Sequence, residues 1–234
     1  MTSLFQGDRA PIAVAIDTPD REVAARWSNA VSPYVQVVKI GLELFCRTGP
    51  DIVNVVRGGS GVGLFLDLKL HDIPNTVAGA AAAVARLKPT FLTVHATGGA
   101  AMIRAAVDAA PDVRIAAVTV LTSLDDEAME AIGLRGPTSD ATRRLAVLAV
   151  SAGARALVCS PHEVAALRAE VGPDVILITP GVRPAGSAVG DQARVGTPAQ
   201  ALADGADLLV IGRPITGDPD PRTAAARIAA SLRT

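Results

Sequence analysis

The segment GLFLDLKLHD, residues 63–72, is the stretch on which the interpretation of the whole chain depends. Successive side chains of a β-strand point to opposite faces. One face of this segment is entirely leucine, at positions 64, 66, 68 and 70. The other face carries Phe65, Asp67, Lys69 and His71. Because buried charges are costly unless they are paired, we expect Asp67 and Lys69 to pair at the carboxyl end of a strand whose leucine face packs against helices.

Similar apolar runs recur on both sides of this segment and alternate with stretches of helical character. We predict eight strands, at 12–17, 34–41, 63–70, 90–95, 114–122, 156–159, 175–180 and 208–212. We predict helices near 20–30, from the end of the second strand to about 57, and at 75–87, 99–109, 161–171 and 221–232. We also predict a polar and helical insertion at 125–152 and a long loop after 180.

This alternation of strands and helices implies a parallel sheet. Eight such units in 234 residues favour a closed (β/α)8 barrel formed by residues 1–234 as a single domain. An open, doubly wound sheet is the alternative, because periodicity does not reveal whether a sheet closes.

Composition excludes several classes of protein. Hydrophobic residues make up 50% of the chain and charged residues only 19%, which excludes disorder. The net charge of −1 gives no electrostatic footprint for nucleic acid. No apolar run approaches 18 residues, so the mean hydropathy of +0.37 does not indicate a membrane span. Cys46 and Cys159 match no metal-binding spacing and suit a reducing cytoplasm, with a single disulfide as the less favoured interpretation.

Polar side chains recur near the carboxyl ends of five consecutive predicted strands. They are Asp17, Lys39, Lys69 with Asp67, His95 and Thr122. An ion pair that merely fills the barrel interior would explain one strand, but it does not explain five. Since the carboxyl ends of barrel strands are where catalytic sites are built, the pattern predicts an active site at this rim.

The last two strands are followed by segments suited to binding an anion. TPGVR, residues 179–183, opens a loop of a length typical of an active-site lid. After the eighth strand, Gly212 allows close approach of the backbone, and Arg213 can bind two phosphate oxygens. Barrels frequently bind phosphate at this place, so these segments predict an anion site. A surface loop without function and a plain surface arginine are the alternatives.

These motifs together resemble one known family. DLKLHDIPNT, residues 67–76, is similar to the signature of the orotidine 5′-phosphate decarboxylase family. The resemblance covers nearly the whole chain and includes, in the family's order, AID, VKIG, TVH, VTVLTS, TPGVRP, GDQARVGTP and VIGRPI. D-x-K-x-x-D by itself also occurs in related sugar-phosphate barrels, but the extension into IPNT and the late segments make the match specific.

The resemblance implies a role for each matching residue. Asp67, Lys69 and Asp72, completed by Lys39, match the charged catalytic network, with Lys69 as the proton donor. Asp17 and Lys39 match groups that hold the ribose hydroxyls, and Thr122, with Ser123 as its competitor, matches the position that reads the pyrimidine. The family's substrate-binding positions in the lid and the phosphate-binding site also have counterparts here, which are Pro180, Arg183, Gln192, Gly212 and Arg213. Asp72 and Thr76 match residues that enter the partner's site in a homodimer.

The activity implied is the conversion of orotidine 5′-monophosphate to UMP and CO2, without cofactor or metal. Three other functions remain open. A magnesium-dependent sugar-phosphate lyase would share the D-x-K-x-x-D strand and would be sensitive to EDTA. A Schiff-base aldolase acting through Lys39 or Lys69 would be trapped by borohydride. A barrel that only senses pyrimidine nucleotides would bind UMP without turnover.

Overall fold

The computed structural model describes residues 8–183 and 196–232, and within them eight parallel strands close into a barrel. The strands are β1 Ala10–Ala15, β2 Val35–Gly41, β3 Gly63–Leu70, β4 Phe91–His95, β5 Arg114–Val118, β6 Ala156–Val158, β7 Ile176–Thr179 and β8 Leu208–Ile211. Each strand pairs with the next, and β1 pairs with β8 through Ile12–Leu209 and Val14–Ile211. The structure is a (β/α)8 barrel, and the alternative of an open sheet is wrong.

Helices connect the strands around the outside of the barrel. They are α1 Arg21–Val31, α2 Leu42–Thr48, α3 Ile52–Arg57, α4 Pro74–Ala85, α5 Gly99–Ala109, α6 Asp126–Ala131, α7 Thr138–Ser151, α8 Val164–Val171, α9 Pro198–Ala203, α10 Arg213–Thr216 and α11 Pro221–Ala230. Short 3₁₀ turns occupy Ala96–Gly98 and Pro161–Glu163. Within the described ranges, no helix combines the length and apolar character needed to cross a lipid bilayer.

Several predicted boundaries are corrected by the structure. The helix expected to run to residue 57 is two helices, because Gly49 takes a φ of +71° and Pro50 follows it. The fifth strand ends at Val118 rather than at 122, and residues 119–122 turn into the rim. The insertion at 125–152 is two helices, α6 and α7, and a short helix, α9, lies in the region predicted as loop.

Two apolar layers support the rim. Leu64 and Leu66 belong to the layer between the sheet and the helices, as the leucine face predicted. Phe65 points into the barrel, where its ring meets Phe91 edge-to-face at a centroid distance of 5.8 Å. Because this inner layer fills the barrel below the charged residues, polar groups at the carboxyl ends of the strands stand over an apolar floor.

Candidate functional site

A cavity of about 610 Å³ opens at the carboxyl ends of the strands. Most of the predicted site residues line it: Asp17, Lys39, Asp67, Lys69, Thr122, Pro180, Arg183, Gly212 and Arg213. Ser123, the alternative to Thr122, lines it as well. The closed barrel therefore brings side chains from six different strand ends to a single site.

Three of the predicted residues lie elsewhere. Asp72 and Thr76 are not among the lining residues; they belong to the segment 71–76, in which every residue is exposed. This segment includes Ile73, which is 66% exposed. Gln192 lies outside the described residues.

Four charged residues form a continuous chain along one wall of the cavity. The ammonium of Lys39 lies 3.3 Å from Asp17 Oδ1 and 3.3 Å from Asp67 Oδ2. The ammonium of Lys69 lies 2.9 Å from Asp67 Oδ1. Asp67 thus bridges both lysines with its two carboxylate oxygens. The predicted pairing of Asp67 with Lys69 is present, and it extends through Lys39 to Asp17.

The inner pair of this chain is held in its charged form. Burial by itself would lower the pKa of Lys39, but the carboxylates of Asp67 and Asp17 outweigh it and raise that pKa. Burial would likewise raise the pKa of Asp67, but the charges of Lys39 and Lys69 and the hydrogen bonds from Lys69 and Thr93 lower it. At neutral pH, Asp67 is therefore a carboxylate that faces the side chains of Lys39 and Lys69.

A glycine makes room for one of these contacts. A Cβ added at Gly41, the last residue of β2, would lie 2.8 Å from Asp17 Oδ1 and 3.4 Å from Lys39 Nζ. Such a contact with Asp17 is too close for a carbon atom, so the carboxylate would have to move. The glycine of the VKIG motif therefore lets Asp17 approach Lys39.

The backbone of β3 departs from a regular strand at Lys69, which has a φ of +49°. The register between β3 and β4 shifts here, since Leu66 pairs with Leu92 but Leu70 pairs with Val94. The alternation predicted through residue 71 is therefore interrupted. A positive φ is costly for a residue with a side chain, and it persists only where neighbouring contacts support the backbone.

Sequence reasoning assigned no role to Thr93, which contacts both Asp67 and Lys69. Its hydroxyl accepts a hydrogen bond from the Lys69 N–H at 2.8 Å and donates one to Asp67 Oδ1 at 3.0 Å. A threonine within a β-strand is ordinary. Only its position on the same face as Phe91 and His95 could have drawn attention to it.

His95, one of the polar residues predicted at the rim, lies at the end of β4. Its ring packs against that of His71 at a centroid distance of 5.3 Å. Burial, together with the nearby His71 and Lys69, lowers the pKa of His95. The structure therefore places a neutral imidazole beside the charged chain at pH 7, outside the lining of the cavity.

Comparison with known proteins gives consistent matches. A sequence model of the orotidine 5′-phosphate decarboxylase / HUMPS family matches residues 10–228. Proteins named orotidine 5′-phosphate decarboxylase are similar at 70% identity in Thermobifida fusca, covering 96% of both chains, and at 62% in Frankia casuarinae, covering 96% of this chain and 88% of the relative. A crystal structure of orotidine 5′-phosphate decarboxylase from Lactobacillus acidophilus superposes with a TM-score of 0.84 at 36% identity, covering 96% of this chain and 100% of that one.

Proposed function

This chain belongs to the orotidine 5′-phosphate decarboxylase / HUMPS family, and we propose how its cavity carries out the reaction. It catalyses the decarboxylation of orotidine 5′-monophosphate to UMP and CO2 in pyrimidine nucleotide biosynthesis. The family model also includes other activities, and the high identity to relatives named for the decarboxylase decides between them. The proposed mechanism depends on the chain of charges from Asp17 to Lys69 along the cavity wall.

The difficulty of the reaction is the negative charge that develops on carbon 6 of the pyrimidine. When the bond from carbon 6 to the carboxylate breaks, its electron pair stays on carbon 6, with no adjacent carbonyl to delocalise it. The Lys69 ammonium stabilises that pair as CO2 leaves and then transfers a proton to carbon 6. Lys69 becomes a neutral amine in this step and regains its proton from solvent, so the cycle needs no metal or cofactor.

Asp67 acts on the departing carboxylate. Its carboxylate, which is only 14% exposed, repels the substrate carboxylate, and the repulsion is relieved when neutral CO2 forms. Its hydrogen bond to Lys69 also keeps the ammonium in place. The same residue therefore raises the energy of the bound substrate and orients the proton donor.

The remaining lining residues bind the other parts of the nucleotide. Asp17 and Lys39, paired at 3.3 Å, hold the ribose hydroxyls. Thr122, with Ser123 beside it, reads the pyrimidine ring. Arg183 and Arg213 bind the phosphate, together with Pro180 and Gly212. The family resemblance adds Gln192, which lies outside the described residues. Because these contacts are remote from carbon 6, their binding energy holds the ring in position and drives closure of the lid.

Replacing Arg213 with alanine is expected to weaken binding of UMP by about 10- to 150-fold, the effect of losing a charged hydrogen bond of about 1.5–3 kcal/mol. Isothermal titration calorimetry with UMP and with uridine measures the effect. The loss should be specific to UMP, because uridine carries no phosphate. Arg155→Ala is the matched control, since Arg155 is exposed at the start of β6, at the opposite end of the barrel. Equal weakening for both ligands would contradict the phosphate assignment.

The enzyme works as a homodimer in which Asp72 and Thr76 enter the partner's site. Support comes from the exposure of the whole segment 71–76, including the large apolar Ile73. Asp72 lies three residues from Lys69 but outside the lining of its own cavity. Docking against a second copy would cover Ile73 and bring a further carboxylate to the charged chain.

Mixing two inactive variants tests this arrangement. Lys69→Ala and Asp72→Ala each disable every site in their own homodimers. After exchange of subunits, half of the sites in each mixed dimer contain both residues, so about a quarter of wild-type activity should return. Light scattering gives the mass of the mixture. Absence of recovery in a verified mixed dimer would show that Asp72 does not serve the partner's site.

Loss of the ultraviolet absorbance of orotidine 5′-monophosphate in the presence of EDTA tests the overall function. Rapid turnover is expected, because the proposed mechanism uses only side chains of the protein. Activity that EDTA abolishes and magnesium restores would favour a metal-dependent lyase. Covalent trapping by borohydride would indicate a Schiff base, and binding of UMP without turnover would indicate a sensor.

We further propose that the enzyme is cytoplasmic and that residues 1–234 act as one catalytic domain. Cys46, which is exposed, and Cys159, which is buried, are not joined by a disulfide, and this supports a reducing compartment. The barrel closes β8 onto β1, so elements from both halves of the chain build the same site.

A further inference from the structure

Thr93 occupies the point where the register between β3 and β4 shifts. Its side chain is fully buried. Three residues of β3, from 67 to 69, lie opposite this single residue of β4, because Leu66 pairs with Leu92 and Leu70 with Val94. The backbone N–H of Lys69 therefore meets the hydroxyl of Thr93 at 2.8 Å. A side-chain oxygen supplies a hydrogen-bond acceptor at the irregularity in the strand.

The chemistry of the partners determines the direction of both hydrogen bonds. A backbone N–H can only donate, so the Thr93 oxygen accepts from Lys69. The proton of the hydroxyl is then available to Asp67 Oδ1, 3.0 Å away. A carboxylate accepts this bond, whereas a protonated carboxyl would compete to donate. The same hydroxyl therefore stabilises the unusual backbone of Lys69 and the ionised form of Asp67.

We propose that Thr93 is a positioning residue of the decarboxylase, holding the Lys69 backbone and the Asp67 carboxylate with one hydroxyl so that the ammonium is presented to carbon 6. This inference rests on the proposed role of Lys69 as proton donor. Without the hydroxyl, the Lys69 N–H loses its acceptor and the left-handed backbone loses its support. Asp67 Oδ1 also loses one of its hydrogen-bond donors, and the carboxylate is then held only by its ion pairs with Lys39 and Lys69.

Two substitutions separate the hydroxyl from the packing of the side chain. Thr93→Val keeps the shape and removes the hydroxyl, whereas Thr93→Ser keeps the hydroxyl and removes the methyl group. We expect Thr93→Val to lower kcat by about 10- to 100-fold, as for a lost hydrogen bond to a charged group. KM should change much less, because the phosphate and ribose contacts are untouched. Thr93→Ser should retain most of the kcat.

Thr90 provides a matched control in the same pair of strands. Its hydroxyl accepts a hydrogen bond from the N–H of Leu64 at 3.3 Å, near the amino end of β3. Thr90→Val removes a hydroxyl that serves a β3 N–H but does not contact Asp67. It should leave kcat near the wild-type value. A loss in Thr90→Val equal to that in Thr93→Val would overturn the proposal, because the effect would then be one of strand stability.

The titration of Asp67 is a readout that does not depend on turnover. Removing a hydrogen bond to the ionised form raises a carboxyl pKa, so the midpoint should move to higher pH in Thr93→Val and stay near wild type in Thr93→Ser. Carbon-13 NMR of labelled aspartate follows the titration of the Asp67 carboxyl group, and the signal that is missing in Asp67→Asn assigns it. The charged and titratable groups around Asp67 are Asp17, Lys39, Lys69 and His95, and neither substitution changes them.

The outcomes distinguish this proposal from the mechanism on which it rests. An unchanged Asp67 midpoint and unchanged kcat in Thr93→Val would overturn the role of Thr93 alone. Near-normal turnover by Lys69→Ala would instead show that Lys69 is not the proton donor. The contacts of Thr93 with Lys69 and Asp67 would then have no bearing on catalysis. A loss in Thr93→Ser as large as that in Thr93→Val would assign the effect to the methyl group and overturn the proposal.

Discussion

Replacing Lys69 with alanine is expected to lower kcat by at least about 10⁴-fold while the protein stays folded, because in the proposed mechanism this one side chain supplies both charge stabilisation and the proton. The cavity holds a second lysine, Lys39, but its ammonium is shared between Asp17 and Asp67. The Lys69 side chain lines the open cavity and lies outside the apolar layers of the barrel, so little apolar packing is lost. Alanine and lysine tolerate a positive φ similarly, and the backbone should therefore persist.

The ultraviolet assay measures this loss, and circular dichroism with thermal unfolding checks the fold. Lys88→Ala is a closely matched control. Lys88 also has a positive φ, +50°, but it is exposed and lies outside the cavity. It should keep wild-type kcat. Turnover by a folded Lys69→Ala protein within tenfold of wild type would remove Lys69 from the proposed mechanism.

Replacing Asp67 with asparagine should damage both stability and activity. Asp67 is the only residue that contacts both Lys39 and Lys69 in the described ion pairs. Without the Asp67 carboxylate, the Lys39 side chain, which is only 8% exposed, keeps a single ion pair with Asp17, which is half-exposed. Breaking a buried pair typically costs about 3–5 kcal/mol of the free energy of unfolding. We also expect kcat to fall by at least about 10²-fold, because the ammonium of Lys69 is no longer held.

The stability loss should depend on pH with a definite sign. Since the pKa of Asp67 is lowered in the folded protein, its stabilisation is present above its unfolded pKa of about 4 and is lost as pH falls through the folded value. The difference in the free energy of unfolding between wild type and Asp67→Asn, measured with urea, should therefore be largest at pH 7 and decrease in acid. Asp174→Asn, in an exposed turn, should show no comparable difference. A difference that persists unchanged in acid would contradict the ionic explanation.

Much of the fold could be predicted because its signals are local. The leucine face of residues 63–70 required only side-chain alternation, and Leu64 and Leu66 indeed pack against the helices. Alternation failed at Lys69, where the backbone turns left-handed, because a strained backbone is supported by contacts with another strand. The fifth strand was predicted too long, since Val120 and Leu121 have strand-like character but line the cavity instead.

The candidate site was likewise predictable where its signals are local, and not where they depend on contacts between strands. Residue type and position at strand ends predicted Asp17, Lys39, Lys69, Thr122 and Arg213, which line the cavity, whereas His95 lies outside the lining. Thr93 falls within the TVH motif but was given no role, because a threonine inside a β-strand is ordinary and its contacts lie on another strand. Its importance arises from residues 24 and 26 positions away.

The sequence by itself determined the order of strands and helices and the chemistry available at each strand end, because these depend on residues within a few positions of one another. Tertiary structure decided whether the sheet closes, which carboxylate oxygen each lysine contacts, and how the register shift beside Thr93 presents Lys69. Those features depend on distances between strands far apart in the chain, and local propensity carries no information about them. Closure of β8 onto β1 places Asp17 and Arg213 around one cavity.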